Sequence, residues 1–542
     1  MLNPTASVGT PPGRGLVVVQ VDGLSRPELD AALEAGHMPT LSGLLGDGRL
    51  ALDGWSPMLP PCTPASQAGI LHGANDGIPG FRWYEKATRR LLVANHARDA
   101  AEIERRTSRG DGLLAGGGAS IGNLLAGDAS YSHLTMATIE SAGSRDQPDA
   151  VRYSPNPLTY ARILLDSIRE LFAEIRQAQR QRLDDVRPRM PRGWRYALER
   201  VLANVPVRIL STQLVCREIA KGRPTIYVDF TGYDEIAHHC GPGRPETAGA
   251  LRKIDTSLRE VVRAIDHAAR PYDLVVLSDH GQSLGLPFRQ RFGVTLQQVV
   301  ARLSESRVMM AEAPRATEHD DLVIRLVGHL FGGRAASGLG GLLARRGGSS
   351  HHRASRLVDS RGAPIANPAD EQIADVVVCS SGNLGLVYFT ELPEPATRAD
   401  IDRRYPGLLE HLVAHPGVDI VVVRVGQGLS AIGRQGTRDL VTGLVEGIDP
   451  LAPFEPVAAA GLRRLASFHN SGDVIVIGHY DQKTGQVVSF EDLVGSHGGL
   501  GGPQSEPFIA HPPTWPLDTG RLVGAPDVHD QLLRWRRRAA AA

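Results

Sequence analysis

A chain of 542 residues, 42% hydrophobic and 22% charged, can bury a large core as about two to four domains or as one large domain with insertions. Its 59 basic residues balance 59 acidic ones, which excludes a global pull toward nucleic acid or anionic membranes and leaves any such preference to local patches. The four cysteines, Cys62, Cys216, Cys240 and Cys379, show no C-x-x-C spacing, so neither a disulfide framework nor a structural zinc knot is expected, and a reducing compartment fits.

The segment from Met1 to Arg14 is rich in Pro, Gly and Thr and has no apolar signal segment. No stretch approaches the ~18 consecutive apolar residues of a membrane span. The expected location is therefore the cytoplasm, including the periphery of the inner membrane. Lysine is rare, at Lys86, Lys221, Lys253 and Lys483, and Ala and Gly are abundant, which points to a GC-rich bacterial genome. Gly15–Val21 reads as a buried strand that delivers the carboxylate of Asp22 at its C-terminal end. Ser25 and Pro27 open a helix through Glu28–Ala35, and a second begins after Met38–Pro39–Thr40. In Leu59–Gly73, Pro64 suits the first turn of a helix over Ala65–Leu71 and makes Thr63 its N-cap, where the dipole and free amides favour a phosphoryl group. Phe81–Lys86, with Arg82, Trp83 and Tyr84, is a polar-aromatic cluster suited to lining a pocket. Gly110–Asn123 is glycine-rich but matches neither the Walker nor the dinucleotide spacing.

From about Asn156 to Ile219 the pattern is helical. Leu158, Ala161, Leu164, Leu165, Ile168, Leu171, Phe172 and Ile175 recur at three- and four-residue spacing, and residues 151–200 carry eleven Arg against six acidic residues. The expectation is a helical cap with its apolar stripe turned to the core and a solvated basic face; contact with anionic lipid through 151–200 is the alternative. The β-branched run Thr225–Phe230 is a second buried strand, followed by a loop with Asp234 and His238, a four-residue spacing that lets a carboxylate and an imidazole share one divalent cation before Gly241–Pro242 ends the segment. A helix over Glu246–Arg270 leads to a strand, Tyr272–Ser278, ending in Asp279–His280–Gly281. Residues 305–370 lack periodicity and read as an exposed connection, loop-rich over 330–370, with His351–His352 at the surface. Strands are expected at Val376–Cys379, Leu384–Phe389, Ile420–Val425 and Val474–Gly478, with a helix over Asp400–His415. His497 stands between glycines in Gly495–Pro503, where the backbone can approach a ligand closely.

Asp22, Thr63, Asp234, His238, Asp279, His280 and His497 together supply three carboxylates, three imidazoles and a hydroxyl. The motifs V-x-V-D-G, T-P-A-S-x-A-x-x-x-x-G, D-x-x-x-H-x-x-G-P, S-D-H-G and G-S-H-G-G resemble, in order, those of the alkaline phosphatase superfamily, in its type I phosphodiesterase and nucleotide pyrophosphatase branch; 85–220 and 300–470 match loosely. The resemblance implies an α/β fold: an alkaline-phosphatase-like three-layer sandwich with a mixed central sheet, built from 15–84, 221–300 and 471–525. A helical cap insertion would occupy 85–220 and a second α+β insertion 301–470. It implies two divalent metal ions, zinc first, with manganese or iron as alternatives. One would be held by Asp22, Thr63, Asp279 and His280, the other by Asp234, His238 and His497. Thr63 would be the nucleophile that forms a phospho-threonine on a small phosphate-ester substrate, nucleotide or lipid-linked, and specific nucleic-acid binding is not expected. The branch's oxyanion-binding Asn is missing from Gly77–Arg82, which leaves Arg82 or Asn123 to take its place, with Trp83 and Tyr84 beside the substrate. Gln282 stands where the family has Met, a change expected to alter the pocket wall. A phosphodiesterase is the leading reading; a phosphomonoesterase, a sulfatase-like hydrolase built on Cys62 and a catalytically retired binding module at a membrane surface are the alternatives.

Overall fold

The structure, a computed structural model, describes residues 13–139, 157–311, 355–358 and 374–541, apart from 393–394, 455 and 519. A mixed seven-stranded sheet runs in the order Ala51–Gly54, Phe508–His511, Tyr272–Leu277, Gly15–Val21, Thr225–Phe230, Ala119–Ile121, Tyr131–His133. The five strands from Tyr272–Leu277 onward are parallel, and the first two close one edge antiparallel. Gly15–Val21 is wholly buried because both of its faces are covered, as its unbroken apolar run requires. Leu16 and Val18 join the core under the helices Thr63–His72 and Ala525–Ala541. Val17, Val19 and Val21 join the opposite core, under Arg26–Glu34, Pro39–Gly46 and Pro245–Asp266. Each such side chain contributes about 1.5–3 kcal/mol through burial, and the alternation yields the expected three layers.

A second sheet of nine strands includes Val376–Ser381, Leu384–Phe389, Val474–Gly478 and Val418–Val425 as neighbours, close to the expected spans. The helix expected over Asp400–His415 is two helices, Arg398–Arg404 and Leu408–Ala414. Pro406 and Gly407 interrupt it, the latter at φ 78°. The interval 85–220, expected as a helical cap, also supplies Ala119–Ile121 and Tyr131–His133 to the main sheet. Their three-residue length is too short for a period-2 pattern to show. The loop-rich reading of 330–370, with His351–His352, lies outside the described residues except for the strand Ser355–Val358.

The cap consists of two long helices, Pro157–Leu183 and Trp194–Ala220. The expected orientation of the first is corrected: its apolar stripe is exposed, and its buried face is mostly polar, with Thr159, Glu170, Glu174 and Gln181 beside Ile163 and Ala178. Glu170 and Glu174 turn inward to meet Arg200, Arg192 and Lys253. Periodicity revealed the stripe but carries no information on which face meets the protein.

Candidate active site

Three adjacent parallel strands bring three carboxylates to one edge. Gln20 lies opposite Leu277 and Val21 opposite Phe230, so Asp22 and Asp279 leave the sheet at one level and Asp234 follows from the next strand. The carboxyl ends of such strands are where open α/β sheets bind ligands. Asp234 and His238 are not on a loop, as expected, but on a nine-residue helix, Gly232–Cys240, which ends at Gly241 with φ 96°. An i, i+4 pair on a helix shares a face, and His238 Nε2 lies 3.0 Å from Asp234 Oδ2. His497 comes from far along the chain: Gly495–Ser496 pairs antiparallel with Ser283–Pro287, the strand that follows Asp279–His280. The His497 ring then stacks on that of His280 at 3.9 Å between centroids.

Thr63 is the first residue of the helix Thr63–His72, with Cys62 as N-cap, one position inside the expected place. The cap backbone belongs to Cys62, which leaves the Thr63 hydroxyl directed at the cluster: Oγ1 lies 3.1 Å from His280 Nε2 and 3.4 Å from Asp22 Oδ1. His280 Nε2 is also 3.6 Å from Asp22 Oδ1 and 3.4 Å from Asp279 Oδ2. Two triads can each converge on one cation: Asp22, Asp279 and His280, and Asp234, His280 and His497, all buried. His280 is thus common to both, and His238 adds to the second.

The imidazoles test whether metal fits. Nδ1 of His238, His280 and His497 lies 2.9, 3.0 and 3.1 Å from the carbonyls of Gly495, Gly281 and Pro61 respectively. A carbonyl only accepts, so each Nδ1 carries the proton and each Nε2 offers its lone pair to the cluster, the usual arrangement of ligating histidines. Nε2 of His238 and Nε2 of His497 then face one another at 3.2 Å. Two lone pairs at that distance repel unless a cation lies between them. Burial, and after it the neighbouring His280, pushes the His497 imidazole well below its usual range, which keeps it neutral. Burial pushes the Asp279 carboxyl up despite His280, and the charge of Asp234 adds to this. Asp279 Oδ2 is buried without a hydrogen-bond partner. Clustered buried carboxylates with neutral imidazoles as neighbours form a donor set that fits divalent cations of borderline softness.

The other predicted residues are placed differently. Arg82 is buried, donates to the carbonyl of Ser380 at 2.7 Å and is paired with Glu491. Trp83 and Tyr84 are core residues of the same short strand, Arg82–Glu85, Tyr84 packing edge-on against Tyr388 of the second sheet. Asn123 is buried and donates to Ser120 Oγ at 2.7 Å and to the Tyr227 carbonyl at 3.3 Å. Gln282 is not a pocket wall: its amide donates to the Asp234 carbonyl and to Asp234 Oδ1. Gln282→Met should weaken divalent-cation affinity about 10- to 100-fold, because the Asp234 carboxylate loses the partner that orients it; isothermal titration of metal-free protein measures this.

Sequence reading missed the support beneath Thr63. Gln67, on the same helix, donates to Asp229 Oδ2 at 2.8 Å and accepts from the amide of Leu124 at 2.8 Å. Gln20, opposite Asp229 in register, takes the Tyr227 hydroxyl at 2.7 Å. A glutamine inside an otherwise apolar strand was the available signal. Gly23, at φ 68°, explains the G of V-x-V-D-G: a Cβ there would collide with Asp234 Oδ1.

The family described as Type I phosphodiesterase / nucleotide pyrophosphatase matches the chain over residues 16–291. No curated protein matches it. Among solved structures, phosphonoacetate hydrolase from Sinorhizobium meliloti 1021 aligns with a TM-score of 0.46 and 16% identity, covering 98% of this chain and 96% of that one. Murine ectonucleotide pyrophosphatase / phosphodiesterase 5 aligns with a TM-score of 0.45 and 10% identity, covering 97% and 95%.

Proposed function

Since the chain belongs to the type I phosphodiesterase / nucleotide pyrophosphatase family, and is thus a metal-dependent phosphoric ester hydrolase, we propose that it cleaves phosphodiesters with Thr63 as nucleophile. The observation that carries this reading is the Thr63 hydroxyl, fixed at a helix N-terminus 3.1 Å from His280 Nε2 and 3.4 Å from Asp22 Oδ1. Asp22, Asp279 and His280 would hold one cation beside that hydroxyl, and Asp234, His238 and His497 a second; zinc suits the imidazole-rich set. When bound, the pair lowers the pKa of the hydroxyl and neutralises the entering and leaving oxygens of an in-line displacement. Thr63 Oγ1 gives up its proton and bonds to phosphorus as one ester oxygen leaves with the electron pair of its broken bond and is protonated, giving a phospho-threonine that still carries the second ester arm; water then attacks that phosphorus, the P–Oγ1 bond breaks, a phosphomonoester is released, and Oγ1 regains a proton. The amides of the first helical turn face the developing negative charge.

Choice of a diester over a monoester rests on family membership and on Arg82. A phosphomonoesterase needs added positive charge for its terminal oxygens, and the Arg82 guanidinium is already engaged by Glu491. The buried Trp83 and Tyr84 lend no support to either choice.

The expected metal content is two divalent ions per chain after metal-replete expression, lost with activity to chelator and restored by zinc or manganese. His238→Ala should retain one. Elemental analysis alongside turnover of chromogenic diester, monoester and sulfate ester tests both halves of the reading. A metal-free active enzyme sinks the site; faster turnover of the monoester sinks the diester choice.

A further inference from the structure

The helix Pro157–Leu183 is amphipathic in the inverted sense. Leu158, Leu164, Leu165, Ile168, Phe172 and Ile175 face solvent, Phe172 at 67% exposure, while Thr159, Glu170, Glu174 and Gln181 are buried with only Ile163 and Ala178 as apolar companions. Arg200 pairs with both buried glutamates, Arg192 with Glu174 and Lys253 with Glu170. Burying ionised groups costs free energy and exposing large apolar side chains forgoes a gain. A helix that does both is arranged for a surface other than water on its outer side.

Charge selects the occupant. Arg169 and Arg176, both exposed, each follow an exposed apolar residue, Leu165 and Phe172, by four positions, so they line one edge of the stripe along the helix; Arg162, in the same register after Leu158, is already paired with Glu260 at 2.8 Å. Asp166, Glu170 and Glu174 are the acidic residues of this helix; two are buried, and Asp166 sits between Arg162 and Arg169. A second copy would bring no exposed unpaired carboxylate from the same helix to meet the arginine edge. Anionic lipid meets both features, apolar side chains entering the acyl boundary and guanidinium groups level with the headgroups. Leu183 and Trp194, 84% and 65% exposed, extend the apolar surface at the turn of the hairpin. No helix among the described residues is long and apolar enough to cross a membrane, so attachment through this face is peripheral. We propose that the outer face of Pro157–Leu183 docks on an anionic bilayer surface. This surface stands independently of the hydrolytic reading.

Flotation of the full chain with phosphatidylcholine vesicles, with and without phosphatidylglycerol, tests it. Binding to the anionic vesicles should exceed binding to the neutral ones by about tenfold or more and fall as salt is raised. Ile168→Glu/Phe172→Glu should lower it at least about tenfold, and Arg169→Gln/Arg176→Gln should remove the preference for phosphatidylglycerol. Thermal unfolding and turnover of a small soluble ester should stay as in the unsubstituted protein, since these side chains touch neither core nor cluster; if the glutamate pair fails to fold, the glutamine pair carries the test. Equal binding to both vesicle types, or none, overturns the proposal. So does a lipid-free dimer that Phe172→Glu converts to monomer, which would assign the face to a second copy.

Discussion

Thr63→Ala is expected to lower kcat on a chromogenic phosphodiester by a factor of about 1,000 or more, while the melting temperature stays close to that of the unsubstituted protein. The hydroxyl is one polar contact at the edge of the cluster, so its loss costs about 1 kcal/mol of stability or less. The remaining carboxylates and imidazoles keep their geometry, because Gln67 and the helix backbone, rather than the Thr63 side chain, hold the helix to the sheet. Metal content should therefore survive. Thr63→Ser, which retains an oxygen but loses the methyl group that fixes its rotamer, should keep measurable activity. Cys62→Ala should leave kcat within about threefold, since the thiol supplies no reacting atom in this scheme. If instead Cys62→Ala abolishes turnover and Thr63→Ala preserves it, the nucleophile is a modified cysteine and the chemistry is that of a sulfatase. Rapid-quench detection of phosphate on Thr63 separates a covalent route from direct attack by water.

Why the cluster was legible in the sequence and its surroundings were not follows from how each is encoded. Asp22, Asp234 and Asp279 each stand at or just beyond the end of a short apolar run, and a buried parallel strand is among the few local patterns a sequence shows without help from tertiary structure. Their grouping then follows from one sheet edge. His497 had no such frame; its place comes from a two-residue strand, Gly495–Ser496, too short for any periodic pattern. It was found through the glycines around it and the resemblance they carry. Arg82, Trp83 and Tyr84 went astray for the opposite reason: polar-aromatic composition reads alike in a pocket wall and in a seam between two sheets. The helix Pro157–Leu183 shows the same limit, because its periodicity is symmetrical with respect to inside and outside. What inverts it lies elsewhere in the chain, in Arg192, Arg200 and Lys253.

Arg82→Ala should destabilise the protein by about 3–5 kcal/mol, the cost of leaving one member of a buried ion pair without its partner. Both side chains are nearly inaccessible, at 6% and 11% relative exposure for Arg82 and Glu491, so water cannot replace the guanidinium. The damage should reach the active site along a short route. Glu491 Oε2 accepts the amide of Gly382 at 2.6 Å, and Gly382, at φ 58°, packs so closely on the carbonyl of His497 that a Cβ there would overlap it. A Glu491 that rearranges to find solvent therefore releases the turn on which the His497 backbone rests. Turnover of monoesters and diesters should fall together, leaving the ratio of their kcat/KM values unchanged, because the pair positions a ligand and touches neither substrate. Removing both charges in Arg82→Met/Glu491→Leu should recover much of the lost stability, since replacing a buried pair by apolar side chains of similar volume is often neutral or better. Denaturant unfolding of the single and double variants, with kcat/KM measured on matched esters, decides between positioning and contact. An Arg82→Ala enzyme that unfolds like the unsubstituted protein but loses monoester turnover alone would make Arg82 a substrate clamp and turn the protein's preference toward phosphomonoesters.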